Sequence, residues 1–398
     1  MLDLEQRPDL TGLARSIDEL FASLPEVAPE QFSEPWGLDD EEIGASTEAP
    51  FAADPDAAEA LGVETDQEAA PTASDDEEPE PTELDLAVAA WLDGERHRDD
   101  EIRALGAECL KNRDLDSLAR AVRDLVWASG DGEDPAAYGL AASLMSPVVL
   151  TRLVTHMGHE RVEERRTEYF EVCRRIGPDA AAAIRDDLGD STDRLARRIC
   201  YSALIAMGDA SRSVVEEMAE SDNRFLVRNA VGILGETGGP RAIELVTGSL
   251  AHPDGRVRRE AVLALAKLGD ADAGQLAYGL LDDPQAAVRI AAVVTCGELR
   301  VERALKTLIS MLDATSDPDE ALPILHALGR LGDPSAVTAI EKHAVATLFS
   351  RPRTDVRVMA YRALAAIGTP HARRLLNKAV TDKDPAVKAG VKQILHMR

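Results

Sequence analysis

One apolar position returns about every 31 residues in this chain, and that period constrains the fold more than any other feature. Aligning it gives Cys173, Leu204, Leu234, Leu265, Cys296, Leu328, Leu364 and Leu395, at intervals of 31, 30, 31, 31, 32, 36 and 31 residues. Around it recurs a block: a hydrophobe-arginine pair, an alanine-rich run and a Leu-Gly-Asp-like break, as from Val257-Arg258 to Leu268-Gly269-Asp270. A fixed period of roughly 20–50 residues marks a repeat array, in which each unit buries its apolar face only against its neighbours.

The punctuation within each block has mechanical reasons. Gly208, Gly269, Gly332 and Gly368 fall just after the first helix, where a left-handed cap needs glycine. Asp209, Asp270 and Asp333 follow, placed to cap a second helix, and Asp-Pro pairs such as Asp283-Pro284, Asp317-Pro318 and Asp384-Pro385 mark the turn into the next unit. A chain of 398 residues is too long for one compact core, but a row of hairpins escapes that limit. Aromatic residues at 4% suit closely packed short helices. The expectation is an all-α, right-handed α-solenoid that works by offering surface.

Charge divides the chain into three parts. Residues 1–83 hold 25 Asp/Glu against Arg7 and Arg15, residues 84–350 are mildly acidic, and residues 351–398 hold 11 Lys/Arg against 3 acidic side chains. The first part is rich in Pro, Glu, Asp and Ala and cannot bury enough apolar area to offset its ordering entropy, so a disordered acidic tail is expected at 1–83. Inside it, Leu10, Leu13, Ile17, Leu20, Phe21 and Leu24 follow helical spacing before Pro25, which marks a candidate docking helix at 10–24. Residues 84–160 are helical without a clean period, opening on Leu86, Ala90 and Leu92 with Trp91, and read as a diverged N-terminal cap. Residues 161–398 make the array of seven to eight units.

The phrases Asp222-Asn223-Arg224-Phe225-Leu226-Val227-Arg228-Asn229-Ala230 and His252-Pro253-Asp254-Gly255-Arg256-Val257-Arg258-Arg259-Glu260-Ala261 resemble bacterial HEAT-repeat proteins of the phycobilisome-lyase-like class. The resemblance covers 161–398 well, 84–160 loosely and 1–83 not at all. It implies HEAT-like helical hairpins and a family that includes scaffolds, lyase-type chaperones and a few metalloenzymes, so it specifies fold far better than function.

Candidate chemistry is sparse. The recurring arginines Arg166, Arg197, Arg228, Arg258, Arg289 and Arg357 are read as structural, each bridging its own unit to a turn carboxylate or carbonyl next door. Ala321 and Arg300 break the pattern, one replacing an arginine and the other a turn glycine. A metal site is not expected: only His159-Glu160 has the His-Glu form that the resemblance associates with a di-iron hydroxylase, and His156, His159, Glu160 and Glu163 read as an exposed cluster. Cys173 and Cys296 occupy core positions and Cys200 aligns with alanines, so catalytic thiols and bound cofactors are not expected either. Gly235–Pro240 follows a helix and lacks a Gly-Lys-Ser/Thr element, so it is a turn and not a phosphate loop.

The basic end is the most suggestive irregularity. Arg351, Arg353, Arg362, Arg373, Arg374 and Lys378 offer a surface for an acidic partner or for the chain's own tail. Nucleic acid is disfavoured, because stacking aromatics are scarce there and the whole molecule repels phosphate. Met1-Leu2-Asp3-Leu4-Glu5 has no basic flank leading into an apolar run, no stretch is apolar enough to span a membrane, and Cys109, Cys173, Cys200 and Cys296 form no CxxC, so a reducing cytoplasmic location is expected. The leading functional expectation is a non-enzymatic scaffold that binds a protein or peptide on a concave face lined by second helices. A lyase-like or chaperone-lyase action on a prosthetic group is the alternative, and nucleic-acid binding by the basic end the third.

Overall fold

The computed structural model describes residues 80–269, 272–347 and 351–396 of the chain. The helix expected at 10–24, with Leu13, Ile17, Leu20 and Phe21, lies outside the described residues, as does nearly all of the expected tail. Among the described residues there are twenty α-helices and no strand.

Helix α1 (Glu83–Leu92) begins on a capping box: Asp85 N–H donates to Thr82 Oγ1, and Thr82 N–H donates to the Asp85 carboxylate at 2.8 Å. It buries Leu84, Ala87, Val88 and Trp91, while Leu86 is 57% exposed. The buried face is therefore rotated from the Leu86–Ala90 pattern. Trp91 sets the rotation: its indole N–H donates to Asp99, and Arg96 stacks 3.7 Å from its ring centroid. Helices α2 (Asp99–Asn112), α3 (Leu115–Ala128), α4 (Pro135–Leu144) and α5 (Pro147–His159) complete the N-terminal part.

The array alternates longer and shorter helices: α6 (Glu163–Ile176), α7 (Pro178–Asp190), α8 (Arg194–Met207), α9 (Arg212–Ala219), α10 (Arg224–Thr237) and α11 (Ala242–Ser249). It continues through α12 (Gly255–Leu268), α13 (Ala273–Tyr278), α14 (Ala286–Glu298), α15 (Leu305–Ala314), α16 (Pro318–Leu331) and α17 (Val337–Ala344). It closes with α18 (Thr354–Ile367), α19 (Pro370–Ala379) and α20 (Pro385–His396). Each even-numbered helix from α6 to α20 packs on the next, forming one continuous row.

The aligned positions Cys173, Leu204, Leu234, Leu265, Cys296, Leu328 and Leu364 lie on this row and are at most 1% exposed. Leu395 is only partly buried, because no described helix follows α20. Small residues beside the aligned position bring neighbours close. A Cβ on Gly235 would lie 2.8 Å from Ala264 Cβ, and one on Gly297 would lie 2.6 Å from Ala327 Cα. The shorter helices instead meet one another at few points and mostly lean on the long helix that follows them.

The chain break after α14 falls on Arg300, which adopts φ 49°, the left-handed conformation that Gly269 supplies at φ 65° after α12. Arginine here tolerates a backbone that its Cβ disfavours.

Candidate functional site

The recurring arginines reach the turn before their own helix. Arg197 Nη1 donates to Ser191 O, Arg258 Nη1 to His252 O and Arg289 Nη1 to Asp283 O, each at 2.9 Å. Three also grip the next unit: Arg258 pairs with Asp283 and Arg289 with Glu320, while Arg357 pairs with Asp382 and donates to Ala344 O. Forked guanidinium donors suit this double contact. Arg166 makes no such bond. Arg228 is out of step. Counting back from the caps Gly238 and Gly269, Val227 matches Arg258, and Arg228 matches Arg259.

That displaced register carries a run of arginines along three adjacent long helices. Arg198, Arg228 and Arg259 recur at 30 and 31 residues, and Arg194, Arg224 and Arg256 precede them on the same three helices, α8, α10 and α12. They gather along the seams between those helices. Arg224, Phe225, Arg228, Asp254 and Arg256 line one crevice, and Arg228 lies 5.4 Å from the Phe225 ring centroid. One turn further on, Gly232 faces the Tyr201 hydroxyl and the Glu260 carboxylate. Burial, together with the Glu260 and Glu236 charges, raises the Tyr201 phenol well above its usual pKa, so it stays protonated.

Asp254 pairs with both Arg224 and Arg256 in this register. Burial would push the Asp254 carboxyl up, but hydrogen bonds from Arg256 and the charge of Arg224, 3.5 Å away, hold it down at about 2. Arg197, at 2% exposure beside Arg194, leaves Nε and Nη2 without hydrogen-bond acceptors among the described residues. A buried cation so poorly matched is costly, and a nearby anion would relieve it.

The same register changes character beyond α12. Ile290, Leu322 and Val358 stand where Arg259 stood. Next to the last cationic seam an open groove of about 240 Å³ is lined by Leu281, Ile290, Val293, Met311, Pro323 and Ile324, with the Arg289–Glu320 ion pair along one wall. Two further pairs cross the row at the C-terminal ends of the long helices: Lys267 to Glu236 at 2.6 Å and Arg330 to Glu298 at 2.8 Å. His326 lies 3.8 Å from Glu298, but burial and the Arg330 and Arg362 charges push its pKa down to about 4.

The basic end is arranged differently. Arg353 pairs with Asp319 and Asp355. Arg351, Arg362, Arg373, Arg374 and Lys378 are exposed. Arg362 lies on α18, Arg373, Arg374 and Lys378 lie on α19, and Arg351 precedes α18.

The other candidate chemistries do not assemble. Among the described residues no three His, Cys, Asp or Glu side chains gather where one ion could hold them. His156 is engaged by Asp116 at 2.6 Å and His159 by the Thr155 carbonyl. Burial pushes the Cys173 and Cys296 thiols up to about 12 and raises Cys200 well above its usual value, which leaves them protonated. No single described helix is long and apolar enough to cross a membrane. The bent pair α4 and α5 passes on length and composition together, but Leu140, Leu153 and Met157 on it are core residues.

Arg194, Arg198, Arg224, Arg256 and Arg259 escaped the reading of the sequence, because the alignment was anchored on Val-Arg pairs. Their own spacing was the available signal.

Residues 228–286 and 275–348 match the family model for HEAT repeats, so this stretch of the row carries HEAT repeats. No curated protein sequence matches the chain. Among solved structures the chain is similar to YibA of Escherichia coli, with 15% identity, 65% of this chain and 96% of that chain covered, and a TM-score of 0.36. It is similar to human deoxyhypusine hydroxylase in complex with glycerol, with 20% identity, coverage of 63% and 96%, and a TM-score of 0.25. It is also similar to the complex of CpcE and CpcF of phycocyanin lyase from Nostoc sp. PCC7120, with 20% identity, coverage of 58% and 93%, and a TM-score of 0.33.

Proposed function

We propose that this protein is a non-catalytic interaction scaffold whose row of long helices binds an acidic protein or peptide segment. The observation that carries this reading is the run Arg194, Arg198, Arg224, Arg228, Arg256 and Arg259 along adjacent seams of a chain with net charge −28. Cations concentrated against the sign of the whole molecule mark a local preference for anions, and arginine forks match carboxylates. The apolar groove beside the run suits a partner that carries hydrophobic side chains among its acidic ones. The buried, protonated thiols give support to a reducing compartment such as the cytoplasm.

The test is a titration of the full chain with a fluorescent peptide of alternating glutamate and leucine. Arg198→Glu combined with Arg224→Glu, both at exposed positions, is expected to weaken binding about 10-fold or more, since close charge pairs couple by more than 1 kcal/mol. Arg373→Glu with Lys378→Glu is expected to change it less than about 3-fold, as rim charges do. Equal losses from the two pairs would overturn the reading.

A further inference from the structure

We infer, resting on the acidic-partner reading above, that Arg197 anchors that partner. Its guanidinium fork grips one Asp or Glu carboxylate of the bound segment where α8 meets α10.

The molecule itself shows what this fork takes elsewhere. Arg197, Arg258, Arg289 and Arg357 are each the fourth residue of a long helix, on α8, α12, α14 and α18. Three of them are neutralised by the next unit. Arg258 Nε and Nη2 donate to the two oxygens of Asp283 at 2.9 and 2.8 Å. Arg357 holds both oxygens of Asp382, and Arg289 Nη2 donates to Glu320 at 2.9 Å. These carboxylates stand at two places: three residues before the next long helix begins, as Asp283 and Asp382 do, or third within it, as Glu320 does. For α10 those two places hold Ser221 and Leu226.

The rest of the arrangement at Arg197 repeats that of Arg258. Nη1 of each donates at 2.9 Å to the carbonyl six residues back, Ser191 O and His252 O. Ser221 Oγ accepts Asn223 N–H at 3.1 Å, as Asp283 accepts Gln285 N–H and Asp382 accepts Asp384 N–H, both at 2.9 Å. The turn is thus built as in the paired seams, with a hydroxyl where they carry a carboxylate. Nε and Nη2, the donors that take Asp283 on Arg258, meet no acceptor among the described residues on Arg197, which is 2% exposed. Asp193 acts on Arg197, but its carboxylate caps α8 through Leu195 N–H at 2.8 Å, and the Arg194 charge acts more strongly. Arg166, fourth on α6, is only partly buried, so solvent can meet its charge.

A buried guanidinium gains most from a paired, hydrogen-bonded anion, and its planar fork selects a carboxylate. The place lies near the surface. Ser221 is partly exposed, and Arg194, Asp222, Asn223 and Arg224 around it are exposed. Serine has two heavy atoms fewer than aspartate, so a glutamate side chain entering over Ser221 takes the position that Asp283 fills in its own seam. Arg194 and Arg224, the first residues of α8 and α10, belong to the arginine run, so anchor and run share one seam.

The experiment follows the Arg197 Nε–H signal by proton–nitrogen NMR of the full chain, identified as the signal lost in Arg197→Met. Two probes are added separately at constant ionic strength: sodium formate, the smallest carboxylate, and the glutamate-leucine peptide. The peptide is expected to move the signal downfield to saturation, toward that of Arg258 Nε–H, which already donates to Asp283. Ser221→Asp supplies the carboxylate from within, so the signal is expected to start there and the peptide to bind about 10-fold more weakly. Thr192→Asp adds the same charge at an exposed position beside Asp193, and is expected to change affinity less than about 3-fold. Arg197→Met is expected to weaken the peptide about 10-fold with the helical circular dichroism unchanged. A signal indifferent to the peptide, while Arg198→Glu with Arg224→Glu still weakens binding, overturns the anchor and leaves the scaffold reading standing. A signal moved by formate and not by the peptide gives the fork to a small free carboxylate, which overturns the partner as its source.

Discussion

Arg198, Arg228 and Arg259 on one side of the row, and Ile290, Leu322 and Val358 on the other, occupy the same register of the same helix. The long helices stack alike in both halves: Gly235 approaches Ala264 in the first, and Gly297 and Gly329 approach Ala327 and Ala363 in the second. In the second half this register belongs to the core, with Leu322 at 2% exposure and Ile290 at 9%, whereas in the first it carries arginine. The basic end differs again. Residues 351–398 hold 11 Lys/Arg, spread over α18, α19, α20 and their flanks, and Arg351, Arg362, Arg373, Arg374 and Lys378 among them are exposed.

If the two halves share one core, equal truncations must cost the same. Leu234→Ala in the cationic half and Leu328→Ala in the apolar half, both buried at 1% or less, should each lose about 3 kcal/mol in urea unfolding. A gap above about 1.5 kcal/mol would mean that the halves are packed differently. Leu395→Ala, partly buried on the last helix, should lose far less.

Acid should separate the halves next. His326, in the apolar half, has its pKa lowered from 6.5 to about 4, so the unfolded chain binds its proton first. Its contribution is complete above pH 6.5 and is lost as pH falls toward 4. With the side chain 22% exposed, that is about 2 kcal/mol after allowance for solvent screening. Asp254, in the cationic half, is lowered from 3.8 to about 2, so its contribution is intact above pH 4 and fades only below it. Stability measured from pH 7 to pH 4 should slope downward in the wild type and less steeply in His326→Gln, the remaining slope coming from His156 and His343, whose pKa values burial also lowers. A slope unchanged by the substitution would assign the acid sensitivity elsewhere.

The fold was legible because its signal is redundant. Eight aligned positions, turn glycines and Asp-Pro pairs all state one period, and seven of those positions are core. What was illegible is the phase. Val-Arg pairs are conspicuous in sequence because they hold turns together, as Arg258 and Arg289 do. The adjacent residue, which faces the seam, has no such grammar and changes from arginine to aliphatic without disturbing a helix. Arg228 hid this by mimicking a Val-Arg pair one residue out of step.

Binding should distinguish the halves more gently than stability does. Arg198→Leu makes one seam position resemble its apolar counterparts, and it should weaken the acidic peptide about 5- to 10-fold without lowering the urea midpoint. A loss of midpoint equal to that of a core truncation would show that Arg198 serves the fold. An unchanged affinity would remove it from the binding surface.

The smallest effect is expected where the halves part. Arg300 ends α14, the first long helix of the apolar half, at φ 49°, where other breaks in the row use glycine. A side chain in the left-handed region costs about 1 kcal/mol, and glycine recovers this while adding freedom to the unfolded chain. Arg300→Gly should therefore stabilise by about 0.5 kcal/mol in urea unfolding, with peptide affinity unchanged because Arg300 lies off the arginine run. Destabilisation would mean that the Arg300 side chain makes a contact worth more than its backbone strain. A fall in affinity would extend the binding surface across the boundary and dissolve the division between the two halves.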